Sequence, residues 1–328
     1  MGILRVFSLY LPETLPHPKV IRSWGDNLHS YEPEFWELQY HIHRYLEKVS
    51  DELLIERYID ICRNMRALIS RERDVIPIQS FLSSWYWYRK EHQTRLEFSL
   101  RNKLLPVQLS NDITFGNQAI NSPIGPSHPN AGDVLFRYDK THQIENLFNN
   151  GQIRIRPASD FLRLEQDIAR KDEECSKKLF LEISRTRITT EAGTEIPFVG
   201  CIEKTVSLPD YYVFCMACDW DPELFADFDV DSCLIIKDTE SFSHLIENAA
   251  KIQLSDWFFH HNPVEYFDPY ERHKNEHIDA AMSKNFKFAY QREYRFLWMP
   301  KNGDVPDGFK FLELGSLGHL AEVCSINH

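Results

Sequence analysis

The period of the hydrophobic pattern changes partway along the chain, and this change constrains the fold more than any other feature. Between Pro33 and about Arg101, apolar residues recur every three or four positions, which predicts helices. Beyond Asp133, short runs typical of strands are interleaved with helical segments, without the regular spacing of βαβ units. The sequence therefore predicts an α+β fold.

The segment between the two patterns has the composition of a linker. It is rich in Asn, Ser, Pro and Gly, and it shows no periodicity. We place the linker at residues 121–132 and an α-helical domain at residues 1–120. A mixed α+β domain, which we expect to carry the catalysis, occupies residues 133–328.

Composition excludes several classes of protein. With 328 residues and 43% hydrophobic content, the chain can bury a sizeable core. It contains no run of about 18 apolar residues and no signal-peptide core, so we expect a cytoplasmic protein that does not associate with a membrane. Basic and acidic residues balance in the first 130 residues, so the whole net charge of −12 belongs to the remainder. A surface of that sign does not by itself attract nucleic acid.

Near the C-terminus, a run from Tyr290 to Trp298 places polar residues at every second position of an otherwise aromatic and apolar segment. Because side chains alternate along a strand, Gln291, Glu293 and Arg295 would share one face. A carboxylate with little solvent around it needs a cation, hydrogen bonds or a functional role. Both a Glu293–Arg295 ion pair at a sheet edge and a reactive site are consistent with this pattern.

A strand, a helix, a glycine and a second strand follow one another at the start of the second domain. The sequence predicts strands at residues 133–138 and 152–156, with Gly151 as the C-cap of the helix between them. This unit resembles the opening of the ADP-ribosyltransferase fold. In that fold the first strand ends in an Arg or His that holds NAD, a polar motif follows the second strand, and a late strand supplies a catalytic Glu, often as Gln-x-Glu. Arg137, Ser159 and Gln291-Arg292-Glu293 occupy these places in the same order.

Residues 133–317 are also similar to a bacterial family of uncharacterised proteins. That family has an Arg-Tyr strand, a Gly-x-Ile-Arg turn that leads to a Phe, an acidic helix, a Cys-hydrophobic-Ser strand and a closing Tyr-x-x-Glu-x-Arg strand. The chain departs from this pattern at Ala217, where the family has Ser. The similarity leaves the helical N-terminal part unexplained.

The resemblance implies a split β-sheet domain that uses NAD as its substrate, either for transfer of ADP-ribose to a protein or nucleic-acid acceptor or for hydrolysis. A toxin or a phage-defence effector would have such an activity. Glu293 would stabilise the positive charge that develops on the ribose, and Gln291 would position the attacking group. Arg137 would hold the NAD, although it could instead pair with an acid of residues 172–174.

Four further residues would bind the NAD if the resemblance holds. Arg156 would meet the pyrophosphate, and Ser159 stands at the place of the polar motif. Tyr138 or Phe161 could stack on the nicotinamide. Each also has a structural interpretation, since the two aromatic residues could belong to the core and Ser159 could be a helix N-cap.

Two other classes of function remain open. The aromatic run from Trp85 to Tyr88 is either the centre of the helical core or a surface that docks a protein partner, in which case the chain could be a ligand-sensing module. The acidic segment 165–174 could hold the metal of a nuclease, although it is also typical of a solvated helix face, and we predict no metal site. We expect Cys215 and Cys218 to be reduced structural residues.

Overall fold

The computed structural model describes residues 33–69, 84–106, 132–161, 174–181, 188–196, 202–271, 279–303, 305 and 308–326. The helices in these ranges are Pro33–Ile42 (α1), Asp51–Ile69 (α2), Ser84–Leu100 (α3), Thr141–Asn150 (α4), Glu223–Asp227 (α5) and Thr239–Gln253 (α6). A 3-10 helix spans Phe286–Gln291. No helix within these ranges is long and apolar enough to cross a membrane.

The strands are Leu135–Asp139 (β1), Gln152–Pro157 (β2), Ser176–Leu181 (β3), Ile188–Thr189 (β4), Glu195–Ile196 (β5), Ile202–Ser207 (β6), Tyr212–Ala217 (β7), Ser232–Ile236 (β8), Trp257–Pro263 (β9), Glu265–Phe267 (β10), Ser283–Asn285 (β11), Glu293–Pro300 (β12), Lys310–Glu313 (β13) and Ala321–Ser325 (β14). Eight of them form one antiparallel sheet, in which six follow the order β13-β2-β7-β1-β8-β14, β12 pairs with β7, and β9 pairs with the other edge of β12. The remaining strands form the pairs β3–β6, β4–β5 and β10–β11. The mixed α+β class predicted from the sequence is therefore confirmed.

Strand β7 is the point at which the main sheet divides. β12 pairs with β7 along its whole length, from Tyr212 to Ala217. The other edge of β7 is shared, because β1 pairs with it only at Ala217 and β2 only at Tyr212 and Val213. β1 and β2 therefore diverge, and none of the described strands lies beside the middle of β7 on that edge.

The helix between β1 and β2 ends where the sequence predicts. Gly151 adopts a φ of 63° and its backbone N–H donates to the carbonyl of Leu147, which closes the last turn. A Cβ atom at this position would lie 1.9 Å from the carbonyl oxygen of Gly315. Only glycine meets both conditions, so this residue fixes how β2 returns to the sheet.

The helical N-terminal part packs directly onto the strands. Trp87 of α3 is fully buried and its ring stacks on Phe286 at 5.7 Å. Arg57 of α2 makes two hydrogen bonds to Asp268, at 2.9 and 2.6 Å, and Lys90 of α3 lies 2.9 Å from the same carboxylate. Buried residues of α2 and α3 thus belong to the same core as the sheet.

This packing bears on the aromatic run 85–88. Tyr86 and Trp87 are buried, while Tyr88 is exposed. The side chain of Trp85 lies outside the described residues. Tyr86 and Trp87 therefore form core and not a surface that could dock a partner.

Several predicted elements differ from the structure. The acidic composition of residues 159–182 is typical of a helix, but residues 176–181 form β3, which pairs with β6; residues 162–173 lie outside the described part. The aromatic and apolar run 286–298 is typical of one strand, yet β12 begins only at Glu293, because Asn285 caps a 3-10 helix through its side chain and Arg292 takes a φ of 45°. The sequence favours an exposed loop or helix around His260 and His261, but both residues belong to strand β9.

Candidate active site

A cleft of about 140 Å³ opens where β1 and β2 diverge. Strand β7 forms its floor, since residues 213–217 all line it. The other lining residues are Phe136, Arg137, Tyr138 and Asp139 of β1, Arg154 and Arg156 of β2, and Phe161, Glu174, Phe228, Lys284, Gln291 and Glu293. The structure therefore brings together six of the seven residues that the sequence assigned to the site: Arg137, Tyr138, Arg156, Phe161, Gln291 and Glu293.

Arg137 occupies the gap that the diverging strands leave. One guanidinium nitrogen donates to the backbone carbonyl of Cys215 at 2.7 Å, and another donates to Asp139 at 2.8 Å. The guanidinium lies 5.0 Å from the ring centroid of Phe214. Arg137 thus binds the backbone edge of β7 at the place where β1 and β2, the strands described on that side, have diverged. Its acidic partner is Asp139, and not Glu174, the one member of the acidic segment 165–174 that the structure describes.

Glu293 begins β12 and lies at the inner end of the cleft with 5% of its surface exposed. One carboxylate oxygen accepts a hydrogen bond from Lys284 Nζ at 2.8 Å, and the other accepts one from Arg295 Nε at 2.8 Å. Burial alone would raise the pKa of Glu293, but the charges of Arg295 and Lys284 outweigh it, so the pKa lies well below its ordinary value. Glu293 is therefore ionised at neutral pH, within an ion pair that lies inside the sheet and not at its edge.

A second carboxylate completes the buried charge cluster. Glu174 lies 2.9 Å from Arg295 Nη1 and 3.6 Å from Lys284 Nζ. Lys177 Nζ is 3.5 Å from the same carboxylate. Among the described residues, Lys177, Lys284 and Arg295 thus lie around the two carboxylates in a region with almost no solvent.

Gln291 and Glu293 meet at Lys284 although they belong to different elements. Gln291 ends the 3-10 helix, and its side-chain oxygen accepts from Lys284 Nζ at 3.1 Å. Its amide nitrogen donates to the hydroxyl of Tyr290 at 3.2 Å. The left-handed conformation of Arg292 turns the chain between them, and this turn replaces the strand alternation that the sequence suggested.

One wall of the cleft is basic. Arg154 and Arg156 stand two positions apart on β2, on the face opposite the buried Ile153 and Ile155. Together with Arg137 they place three guanidinium groups along the lining. Such planar groups suit phosphate oxygens, which they can bind through two parallel hydrogen bonds.

The remaining predicted residues are Tyr138, Phe161 and Ser159. Tyr138 lines the cleft but is 4% exposed; its ring packs edge-on against Phe225 and its hydroxyl accepts from the backbone N–H of Asp221 at 2.7 Å. Phe161 lines the cleft and is partly exposed. Ser159 is not among the lining residues, since its hydroxyl donates to Asp210, whose carboxylate also accepts from the Ser159 backbone N–H at 3.1 Å. These contacts favour a structural role for Ser159 over contact with NAD.

Two basic residues of the cleft were not predicted, and a third residue was predicted with another partner. Arg154 could have been found from its spacing to Arg156, since alternate residues of a strand share a face. Lys284 gave no such signal, and Glu174 pairs with Arg295 and not with Arg137, because these partners are distant in sequence. Each becomes part of the site only through the fold.

Within the described ranges, no group of three or more His, Cys, Asp or Glu side chains is arranged to hold a metal ion. All of the acidic segment 165–174 except Glu174 lies outside these ranges. Cys215 and Cys218 are free thiols, and burial raises the pKa of both, so neither is an activated thiolate.

Comparison of the chain with protein-family models, with curated proteins and with solved structures found no significant match.

Proposed function

We propose that the chain cleaves the bond between nicotinamide and ribose in NAD, and that it either transfers the ADP-ribose to a macromolecular acceptor or hydrolyses it. The observation that carries this proposal is the meeting of Arg137 and Glu293 in one cleft. They belong to β1 and β12, which are far apart in the sequence. Neither secondary structure nor sequence spacing requires that meeting.

The ionised state of Glu293 suits cleavage of the bond between nicotinamide and ribose. Loss of nicotinamide leaves a ribose with oxocarbenium character, which an ionised carboxylate stabilises. A carboxylate has about four sites that accept hydrogen bonds. Lys284 contacts one oxygen, Arg295 contacts the other through Nε and Nη2, and the Cys215 thiol is a further side-chain partner. A ribose hydroxyl would therefore compete with these donors for the carboxylate.

The basic wall suits the other half of the substrate. The chain as a whole carries a net charge of −12, which repels an anionic ligand. Arg137, Arg154 and Arg156 place three positive charges on one wall of the cleft, where Asp139 pairs with Arg137. Their guanidinium groups would bind the pyrophosphate while Glu293 faces the ribose.

The divergence of β1 and β2 over β7 supports the ADP-ribosyltransferase resemblance. A split sheet with an NAD-holding Arg on the first strand and a Glu at the start of a late strand is what the resemblance implies. Arg137 and Glu293 stand at these two places. The same resemblance is the basis for a role as a toxin or a phage-defence effector.

Nicotinamide release tests the proposal. The purified full chain is incubated with NAD, with and without candidate protein and nucleic-acid acceptors, and free nicotinamide and labelled acceptor are measured. We expect nicotinamide from the wild type and none above background from the Glu293→Gln variant. Equal release by both would remove Glu293 from the mechanism.

A non-enzymatic ligand-sensing module is the second candidate. It is favoured by the pairing of Glu293 with two cations, since a neutralised carboxylate is a weaker stabiliser of positive charge. In that case NAD or ADP-ribose binds, as calorimetry would show, but no nicotinamide is released with any acceptor. The two candidates therefore differ in turnover and not in binding.

A further inference from the structure

Asn64 of α2 does not line the cleft, yet it hydrogen-bonds the 3-10 helix Phe286–Gln291, whose last residue does. Its side chain is fully buried. The amide nitrogen donates to the carbonyls of Asp60 and Lys287, at 2.9 and 3.0 Å, and the amide oxygen accepts from the backbone N–H of Tyr290 at 2.7 Å. Because two partners are carbonyls and the third is an N–H group, the orientation of the amide is fixed.

The 3-10 helix that Asn64 contacts is stabilised by residues outside it. A 3-10 helix has poorer hydrogen-bond geometry than an α-helix and is used in short pieces. Asn64 bonds two backbone groups of the 3-10 helix Phe286–Gln291. Two further contacts from the helical part support it: Trp87 stacks on Phe286, and the Arg63 guanidinium lies 4.0 Å from the ring centroid of Tyr290.

The position of this turn determines where the site residues stand. Gln291 is its last residue, and Glu293 follows after Arg292, whose φ of 45° is a strained conformation for a residue other than glycine. Gln291 and Glu293 both bond Lys284 Nζ, at 3.1 and 2.8 Å. A shift of the turn by a fraction of an ångström would lengthen one of these bonds.

We propose that Asn64 is a positioning residue, which links the helical N-terminal part to the reacting end of the cleft by fixing the backbone that carries Gln291 and Glu293. The inference rests on the proposed function for its catalytic consequence. Its structural content, that Asn64 orders residues 286–293, stands independently. The helical part is then a component of the site and not only an attached domain.

Gln93 of α3 offers a matched control. It is also a buried amide, which donates to the Trp36 carbonyl at 3.1 Å and accepts from the Tyr45 hydroxyl at 2.9 Å. These partners belong to the helical part alone. Asn64→Leu and Gln93→Leu therefore each remove a buried side-chain amide, but only the first acts on the turn.

The experiment compares both variants with the wild type in the full chain. Amide hydrogen exchange of residues 286–293 should be about tenfold faster in Asn64→Leu, the effect of losing one or two buried hydrogen bonds, and unchanged in Gln93→Leu. The kcat for nicotinamide release should fall about tenfold in Asn64→Leu, while its affinity for ADP stays within about twofold of the wild type, since the arginines that bind the anion are untouched. If Asn64→Leu does not fold, Asn64→Ser gives the same comparison with a smaller side chain.

Equal exchange rates in the 286–293 segment of both variants would overturn the inference, as would a kcat that falls equally in both. A wild type that releases no nicotinamide has a different meaning. It would refute the proposed function, while the exchange comparison would still decide whether Asn64 orders the turn.

Discussion

Replacing Glu293 by Gln removes one charge from a buried cluster and leaves the shape of the side chain unchanged. The amide can still accept a hydrogen bond from Lys284 or Arg295, but it no longer balances their charge. We expect nicotinamide release to fall by a factor of about 10² to 10³, the range seen when one electrostatic stabiliser of a transition state is removed. The assay follows nicotinamide at saturating NAD.

The same substitution should lower stability. Removing one partner of a buried ion pair costs about 3–5 kcal/mol, because it leaves an uncompensated buried charge. Here Arg295 keeps a second partner in Glu174, at 2.9 Å, and the Gln retains hydrogen bonds. We therefore expect the lower end, about 3 kcal/mol in the free energy of unfolding, measured by chemical denaturation at pH 7.

Acid titration separates this charge effect from packing. The pKa of Glu293 in the folded chain lies below its ordinary value of 4.5, so the folded state binds the proton more weakly than the unfolded state does. The stabilisation is therefore fully present above about pH 4.5 and is lost as the pH falls below it. The stability difference between wild type and Glu293→Gln should stay constant from pH 7 to 5 and shrink at lower pH.

Glu97 provides the control for these measurements. It is also a buried carboxylate, which accepts hydrogen bonds from Arg44 and Arg101, at 2.9 and 2.7 Å, but it lies in the helical part away from the cleft. Glu97→Gln should lose comparable stability and retain nicotinamide release. Equal loss of activity in both variants would attribute the effect to unfolding, and full activity in Glu293→Gln would refute the assigned role.

Three further substitutions test other parts of the structure. Arg137→Gln should weaken NAD binding by about tenfold to a hundredfold, the value of a charge-assisted hydrogen bond, as calorimetry can measure. Asp268→Asn should cost about 3–5 kcal/mol in denaturation, because it leaves Arg57 buried without its carboxylate; a cost below about 1 kcal/mol would show that water reaches the pair. Gly151→Ala should destabilise the chain by more than about 2 kcal/mol, whereas Gly193→Ala, also at positive φ but with nothing within 4 Å of the added Cβ, should cost only about 1 kcal/mol.

Local sequence signals predicted much of the fold. The period of three and four from Pro33 to Arg101 located helices that the structure confirms, and Gly151 marked the end of a helix because few residues other than glycine adopt its conformation. These features depend on neighbours within about four residues. Short-range sequence patterns are therefore sufficient to predict these features.

The turn at residues 286–292 shows where such reasoning fails. Its aromatic and apolar residues suit a strand, but Asn285 caps a 3-10 helix and Asn64, distant in sequence, bonds its backbone. Tertiary contacts therefore override the local preference. Lys284 was missed for the same reason, since its partners Glu174 and Glu293 reach it only after the strands have assembled.

The ion pair of Glu293 is compatible with the proposed catalytic role of this residue. An isolated carboxylate in this position would take up a proton, because burial opposes its charge, and a protonated acid cannot stabilise a cationic ribose. The ion pairs with Lys284 and Arg295 keep it ionised without exposure to solvent. Lys284 lines the cleft and shares its ammonium with Gln291, so it is the partner that a ribose hydroxyl would compete with, whereas Arg295 is fully buried and holds the opposite oxygen. The ion pair is thus the condition under which a carboxylate at this depth could act on NAD.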